Sequence, residues 1–450
     1  MTSTKPVTIE AKHIVKLEGA AAVMTVGGND VTVAGRLEAD GGSVSCKSLS
    51  TTGGGEIRLH TATVTVTEGL AGAIRVAGLV TINHGAAAID ISGMTFAEGA
   101  LLELTGTGTV TKDPLKTYPE IGEFVKMNVK GDNSSVNRMN NKAIWGDGEA
   151  DISAEVDYLV DARSGTTTLR AQGSGESITF AGKSLTVVGG PGNIAKFYGY
   201  HGMTVSDIRF LSYSCLHHAD WGGAVEFSTP AKVTIEGSEC PNSDGAVVFT
   251  SEGNRTVELN GVLSGNGALR LRPVNDSQTN PIYFNLYGDN SNFKGCISAD
   301  TWPVYIRVNS QNGLGGDPST VLEKGLVIAN GSTVEFTSAI YTWMFNRGLY
   351  IDGDGTVKNS AEVVWFGPLS FSDGGTLTKE GDGELVVLGP CSAGRVLLKG
   401  LGRAIKFKTA YADIVKVESG LPGYRVVVTA EDDYNAYKLE KVRGLSILVY

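Results

Sequence analysis

GTGTVTK (106–112), GDGTVK (353–358) and SDGGTLTK (372–379) are one short phrase written three times, and GNGALRL (265–271) is a looser fourth copy. Each copy joins a glycine turn to the start of a β-branched strand. A turn-plus-strand unit that recurs with no helix between copies is how a solenoid is encoded. The phrase therefore predicts an all-β chain, a right-handed parallel β-helix that spends most of its residues on building a rod. That expectation weighs against an enzyme before any site is considered.

Working outward from the phrase, residues 1–112 read as N-terminal coils. VTIEA, IVKLEG, DVTVAG, EIRLH, ATVTVT, AIRVAG, LVTINHG and LLELTG follow one another across gaps rich in Gly, Asp, Asn and Ser. The run Thr63-Val64-Thr65-Val66-Thr67 alternates strictly, which places Val and Thr on opposite faces of a strand. Residues 113–157 break the rhythm with Pro114, Pro119 and the polar Gly131-Asp132-Asn133-Ser134-Ser135, and read as an irregular insertion. Strand signals resume across 158–402, the main β-helix. The tail 403–450 is denser in lysine and aromatic residues and reads as a terminal strand-rich cap or assembly segment.

Composition excludes the competing classes. Glycine contributes 60 of the 450 residues and proline only 13, with no three-residue glycine period, so collagen is excluded. With 41% hydrophobic and 19% charged residues the chain has ample surface to bury, which argues against disorder. A net charge of −10 without a Lys/Arg stripe argues against nucleic acid as a partner. No run is apolar enough for a membrane-spanning segment. The N-terminus shows no basic start followed by an apolar core, so no signal peptide is legible as written. The chain reads as cytosolic or as trimmed of a leader, and its composition favours the second. Five scattered cysteines do not make a disulfide scaffold. Cys215 and Cys240 lie about one turn apart and could stack or pair.

Residues 370–389, SFSDGGTLTKEGDGELVVLG, carry a resemblance. Gly375-Thr376-Leu377-Thr378-Lys379, then Gly381, Gly383, Leu385, Val387 and Gly389, resemble the autotransporter-associated β-strand repeat of bacterial secreted and surface proteins. LYGDNSNFKGCISAD (286–300) looks like the turn that continues such repeats. The resemblance implies a right-handed β-helix in an extracellular or cell-surface setting. It also implies glycines with positive φ at the corners and Leu and Val filling the interior. The chain departs from the autotransporter plan in lacking a leader and a C-terminal barrel of translocating strands.

Chemistry is thinly written. The Asn-Thr-Asp, Asp-Asp, Gly-His-Gly and Arg-Ile-Lys motifs of pectin-degrading β-helices do not occur as a set: Asp432-Asp433 stands alone, without the other three. Asp147-Gly148-Glu149 with Asp151, and Asp352-Gly353-Asp354, could serve as calcium ligands but are commoner as turns. Cys215, His217, His218 and Asp220 gather ligand types without a second pair at a zinc spacing. Phe197, Tyr198, Tyr200, Phe210, Tyr213 and Trp221 form one aromatic set. Tyr341, Trp343 and Phe345 form another, expected to alternate on one strand face and to bind a ligand if exposed. The apolar terminal run with Leu445, Ile447, Val449 and Tyr450 is a candidate strand donor for assembly. The sequence thus predicts a non-enzymatic structural or adhesive solenoid of a bacterial surface, needing no cofactor, with surface glycans or copies of itself as partners. A self-assembling filament is the nearest alternative and a carbohydrate-active β-helix a lesser one.

Overall fold

The computed structural model describes every residue except 98, 133–136, 172–177, 200–202, 219–224, 228–231, 239–244, 276, 278, 300–303, 343–344, 402, 412–413 and 443–450. It is all-β, 56% strand and 2% helix, in a solenoid of about 17 turns. The little helix consists of short 3-10 turns such as Ile121–Glu123 and Lys142–Ile144, so among the described residues no α-helix joins one coil to the next. The chain divides into two compact units. The first comprises 1–217, 230–249 and 264–269, and the second the remainder.

Unit 1 begins with a stack of parallel coils. Ile14–Glu18, Arg36–Asp40, Glu56–His60, Ile74–Ala77 and Met94–Phe96 form one wall. Val23–Val26, Ser43–Thr51, Thr63–Ala71, Leu79–Gly85 and Leu101–Gly106 form another. The strict alternation at 63–67 does what it predicts: Val64 and Val66 are buried and Thr63 is exposed. Each inward residue meets its equivalent on the next rung, as in Leu37–Ile57–Ile74–Met94 and Met24–Val44–Val64–Ile82. Such columns remove one side of every apolar side chain from water at each repeat, so stability accrues coil by coil.

A second stack of the same unit starts with Asp157–Asp161, Ser184–Val188, Asp207–Leu211 and Lys232–Glu236, again parallel. Within 113–157, read as an insertion, the described residues 139–145 lie over its first coil. Trp145 is buried, with ring centroids 5.1 Å from Tyr158 and 6.3 Å from Phe180, and its indole N–H donates to the Met139 carbonyl at 2.9 Å. An aromatic lid of this kind protects the apolar end of a stack that has no preceding coil.

The two stacks of unit 1 lie side by side. Leu79 and Leu101 from the first cluster with Ile121, Leu159, Val188 and Leu211. Around that apolar centre the polar contacts pair in reverse order. Arg163 meets Glu103, the Ser212 hydroxyl donates to Thr61 Oγ1 at 2.8 Å, and the Ser238 hydroxyl donates to Asp40 Oδ2 at 3.0 Å. As the second stack advances along the chain, its partners in the first stack recede towards the N-terminus. The coils therefore run antiparallel, a hairpin made of solenoid. Gly78 belongs to this join: it has φ +59°, and a Cβ there would stand 2.3 Å from Thr61 Oγ1 and 2.9 Å from the Glu236 carbonyl.

In unit 2 a nine-stranded parallel sheet runs through Val225–Phe227, Arg255–Leu259, Ile282–Leu286, Val304–Val308, Ser332–Phe336, Asp354–Asn359, Thr376–Glu380, Gly394–Leu398 and Val415–Ser419. A second sheet stacks Ile340–Thr342, Val363–Trp365, Leu385–Val387 and Arg403–Lys408 in parallel. It is then finished by an antiparallel hairpin, Tyr424–Glu431 with Tyr434–Lys441. The repeat at 370–389 fills the interior with Leu377, Leu385 and Val387, as the resemblance implies. Its glycines are a partial correction. Gly381 has φ +79°, but Gly375, Gly383 and Gly389 do not adopt positive φ. Gly383 is needed because a Cβ would stand 2.1 Å from the Ala361 carbonyl oxygen on the rung below. Close stacking of rungs, rather than handedness of the backbone, selects it.

Among the described residues, two cations sit inside unit 2. Lys379 occupies an inward column that otherwise reads Val257–Phe284–Ile306–Val334–Val357 and continues to Leu398. Its ammonium donates to the carbonyls of Glu380 at 2.7 Å and Gly381 at 3.1 Å, and burial pulls its pKa down to about 8. Arg347, fully buried, donates to the carbonyls of Gly295, Gly325, Phe293 and Gly316. One guanidinium thereby satisfies corner carbonyls on successive coils that would otherwise be stranded.

Candidate functional site

The outward face of the nine-stranded sheet of unit 2 presents side chains in register along the stack. One column reads Glu258, Asn285, Arg307, Glu335, Lys358 and Glu380. Two positions earlier on each strand a second column reads Thr256, Tyr283, Tyr305, Thr333, Thr356 and Thr378. Successive members of a column are about 4.8 Å apart, the spacing of neighbouring strands. Parallel pairing with an even inward–outward alternation makes such columns unavoidable, and the sequence decides only what they contain.

The contents are paired along the stack. Arg307 Nε donates to Glu335 Oε2 at 2.8 Å, Lys358 Nζ donates to Glu335 Oε1 at 2.7 Å, and Lys399 reaches Glu380 at 3.5 Å. Burial works against the Glu335 charge, yet hydrogen bonds from Lys358 and Arg307 hold its carboxyl below the usual range. The Arg307 guanidinium lies 3.9 Å from the Tyr283 ring centroid, and the Tyr283 and Tyr305 rings are 5.2 Å apart at 40°. Burial raises the Tyr305 hydroxyl, which stays protonated and able to donate. The face is thus a half-buried, polar, hydroxyl-rich strip with fixed charges of both signs. It can hydrogen-bond and stack on a ligand that repeats along the coil axis.

The residues singled out from sequence are placed as follows. Of the Tyr341–Trp343–Phe345 alternation, Tyr341 lies on the strand Ile340–Thr342, whereas Phe345 lies in a turn and not on a strand, 56% exposed, its ring 5.1 Å from that of Phe366. The backbone of Tyr341 pairs with Val364, while Trp343 lies outside the described residues. Leu445, Ile447, Val449 and Tyr450 also lie outside them. Cys215 is buried and Cys240 is not among the described residues.

In unit 1, Phe197, Phe210 and Phe249 are fully buried. Tyr198 faces outward between Arg170 at 4.3 Å and the His217 ring at 4.3 Å. In unit 2, His218 is buried, its Nδ1 2.9 Å from the Ser251 hydroxyl, and Asp220 lies outside the described residues. The Asp-Gly steps are turns: Gly148 and Gly353 have φ +81° and +72°, and Asp147 Oδ1 accepts from the Glu149 amide. Among the described residues no group of three or more His, Cys, Asp or Glu could hold a metal. Burial pushes the thiols of Cys46 to about 11 and Cys391 to about 12, which keeps both protonated at neutral pH.

Sequence reading missed the Tyr283–Tyr305–Arg307–Glu335–Lys358 strip. Its signal was present as a rung-to-rung match, with PIYFNL, VYIRV, STVEF and GTVKN aligning hydroxyl or ring, apolar residue, then charge or amide. Reading the strands one at a time concealed it.

A scan against protein-family models finds none that matches the chain, and a search of the curated proteins finds no match.

Proposed function

We propose that the protein is a non-enzymatic structural or adhesive β-solenoid of a bacterial surface, and that the outward strip of unit 2 is its binding face. The observation that carries this reading is the in-register pair of columns, Thr/Tyr beside charged or amide side chains, extending over six consecutive rungs. A surface repeating every rung offers the same contact many times, so weak individual hydrogen bonds sum through multivalency on a repeating polymer such as a glycan. The resemblance of 370–389 to the autotransporter-associated repeat supports the extracellular setting. The test is binding of the purified chain to a panel of surface polysaccharides, followed by Tyr305→Ala and Arg307→Ala. Retention on one polysaccharide that both variants lose supports the reading. Cleavage of any member of the panel would move the protein to the enzymes.

A further inference from the structure

Among the described residues, no strand pairs with the outer edge of Tyr424–Glu431, the last strand of the second sheet of unit 2. The strand is eight residues long, reads YRVVVTAE, contains no proline, and leaves Val428 52% exposed. Leu401, Ile414 and Val442 in the same region are also exposed. Long apolar edges without a charge turned into the strand invite another strand. In an antiparallel pairing of identical strands, only registers that set a residue against itself, or against one an even number away, keep side chains on matching faces.

Of those registers, the one centred on Val428 sets Arg425 opposite Glu431 of the other copy twice, and stacks Val426 on Ala430, Val427 on Thr429 and Val428 on itself. Arg425 is well placed for this. Its side chain is 70% exposed, and its contact with Glu440 is a loose 3.6 Å. Glu431 holds Lys406 at 3.0 Å through Oε2, and a carboxylate can accept from more than one cation.

We infer that a second copy of this chain docks here, antiparallel and edge to edge, about a two-fold axis at Val428. The pairing is isologous, so it closes at two copies and does not propagate into a filament. One strand pair is a small interface of the weak, transient class, so the dimer is expected only at high protein concentration. The inference is independent of the ligand proposed above, and its failure would leave that reading standing.

Sedimentation velocity of the full chain across a concentration series tests it, with far-ultraviolet circular dichroism confirming the fold of each variant. A reversible monomer–dimer equilibrium is expected. Arg425→Glu should weaken it at least about tenfold, equivalent to about 1.4 kcal/mol, and Arg425→Glu with Glu431→Arg should restore it. A monomer at every concentration overturns the inference and points to another segment of the chain covering the edge. A dimer indifferent to both charge changes overturns it too, as do oligomers larger than two.

Discussion

Two sets of stacked charges in this protein use the same chemistry to different ends. At the join of unit 1, Arg163 donates to both oxygens of Glu103 and both of Asp161, bridging residues from two stacks. On the outer face of unit 2, Arg307, Glu335 and Lys358 pair along a single sheet. In the first case the hydrogen bonds from Arg163 hold Glu103 below the usual carboxylate range. They do the same for Asp161 against the opposing effect of burial. Those charges come from two stacks that no backbone ladder joins among the described residues, and they select one way for the stacks to meet. The second set lies where backbone ladders already fix the register, so it adds little to the fold and remains available for contact with a partner. Ion pairs gain structural weight when they join elements that the backbone does not already join.

The largest effect that separates the two regions should come from Leu211→Asp, which buries an unpaired charge at the apolar centre of the join. A loss of more than about 4 kcal/mol is expected in urea unfolding, or collapse of the cooperative transition. Next, Arg163→Met strands Glu103 and Asp161 together and should cost about 2–3 kcal/mol at neutral pH. The sign with pH follows. Both carboxyls have lowered folded pKa values, so the wild-type join contributes fully above their ordinary range near pH 4 and loses that contribution as pH falls through the folded values. Wild type and R163M should therefore converge in stability in acid.

Lys379 has the opposite sense. Its folded pKa lies below the ordinary lysine value, so the native state releases a proton first as pH rises above about 8. Wild-type stability in urea should rise between pH 8 and 10 by roughly 1 kcal/mol or more, and K379M should lose that rise. The smallest effect is expected at the outer strip, where Glu335→Gln should change stability by about 0.5 kcal/mol or less. A cost of several kcal/mol there would erase the contrast between the two regions.

The solenoid was legible because its signal is local. The thrice-written glycine phrase and the alternation at 63–67 specify coils without reference to distant residues. The fold-back of unit 1 was not, because its polar contacts, Thr61 with Ser212 and Asp40 with Ser238, are indistinguishable in sequence from ordinary surface residues. One trace did exist. Leu79-Val80, Leu101-Leu102, Val187-Val188 and Phe210-Leu211 break the inward–outward alternation with doubled apolar residues. One member of each pair fills a coil and the other fills the join. The buried Arg347 escaped for a related reason, since nothing in its own strand shows that a cation is needed to satisfy carbonyls of other coils, and Lys379 sits in an alternation that reads like that of any outward lysine.

The antiparallel arrangement of coils in unit 1 also sets a folding clock. A simple solenoid grows by nearest-neighbour contacts and can start anywhere. Here Asp40 must wait for Ser238, 198 residues later in the chain, before the join can close. Contacts of such sequence separation slow folding because closure entropy is spent before they form. During synthesis the first stack emerges with Leu79 and Leu101 still uncovered, and their cover is complete only when Leu211, on the third strand of the second stack, arrives. The interval between those events is when unit 1 is most exposed to misassembly, and whatever shortens it would govern the yield of folded protein.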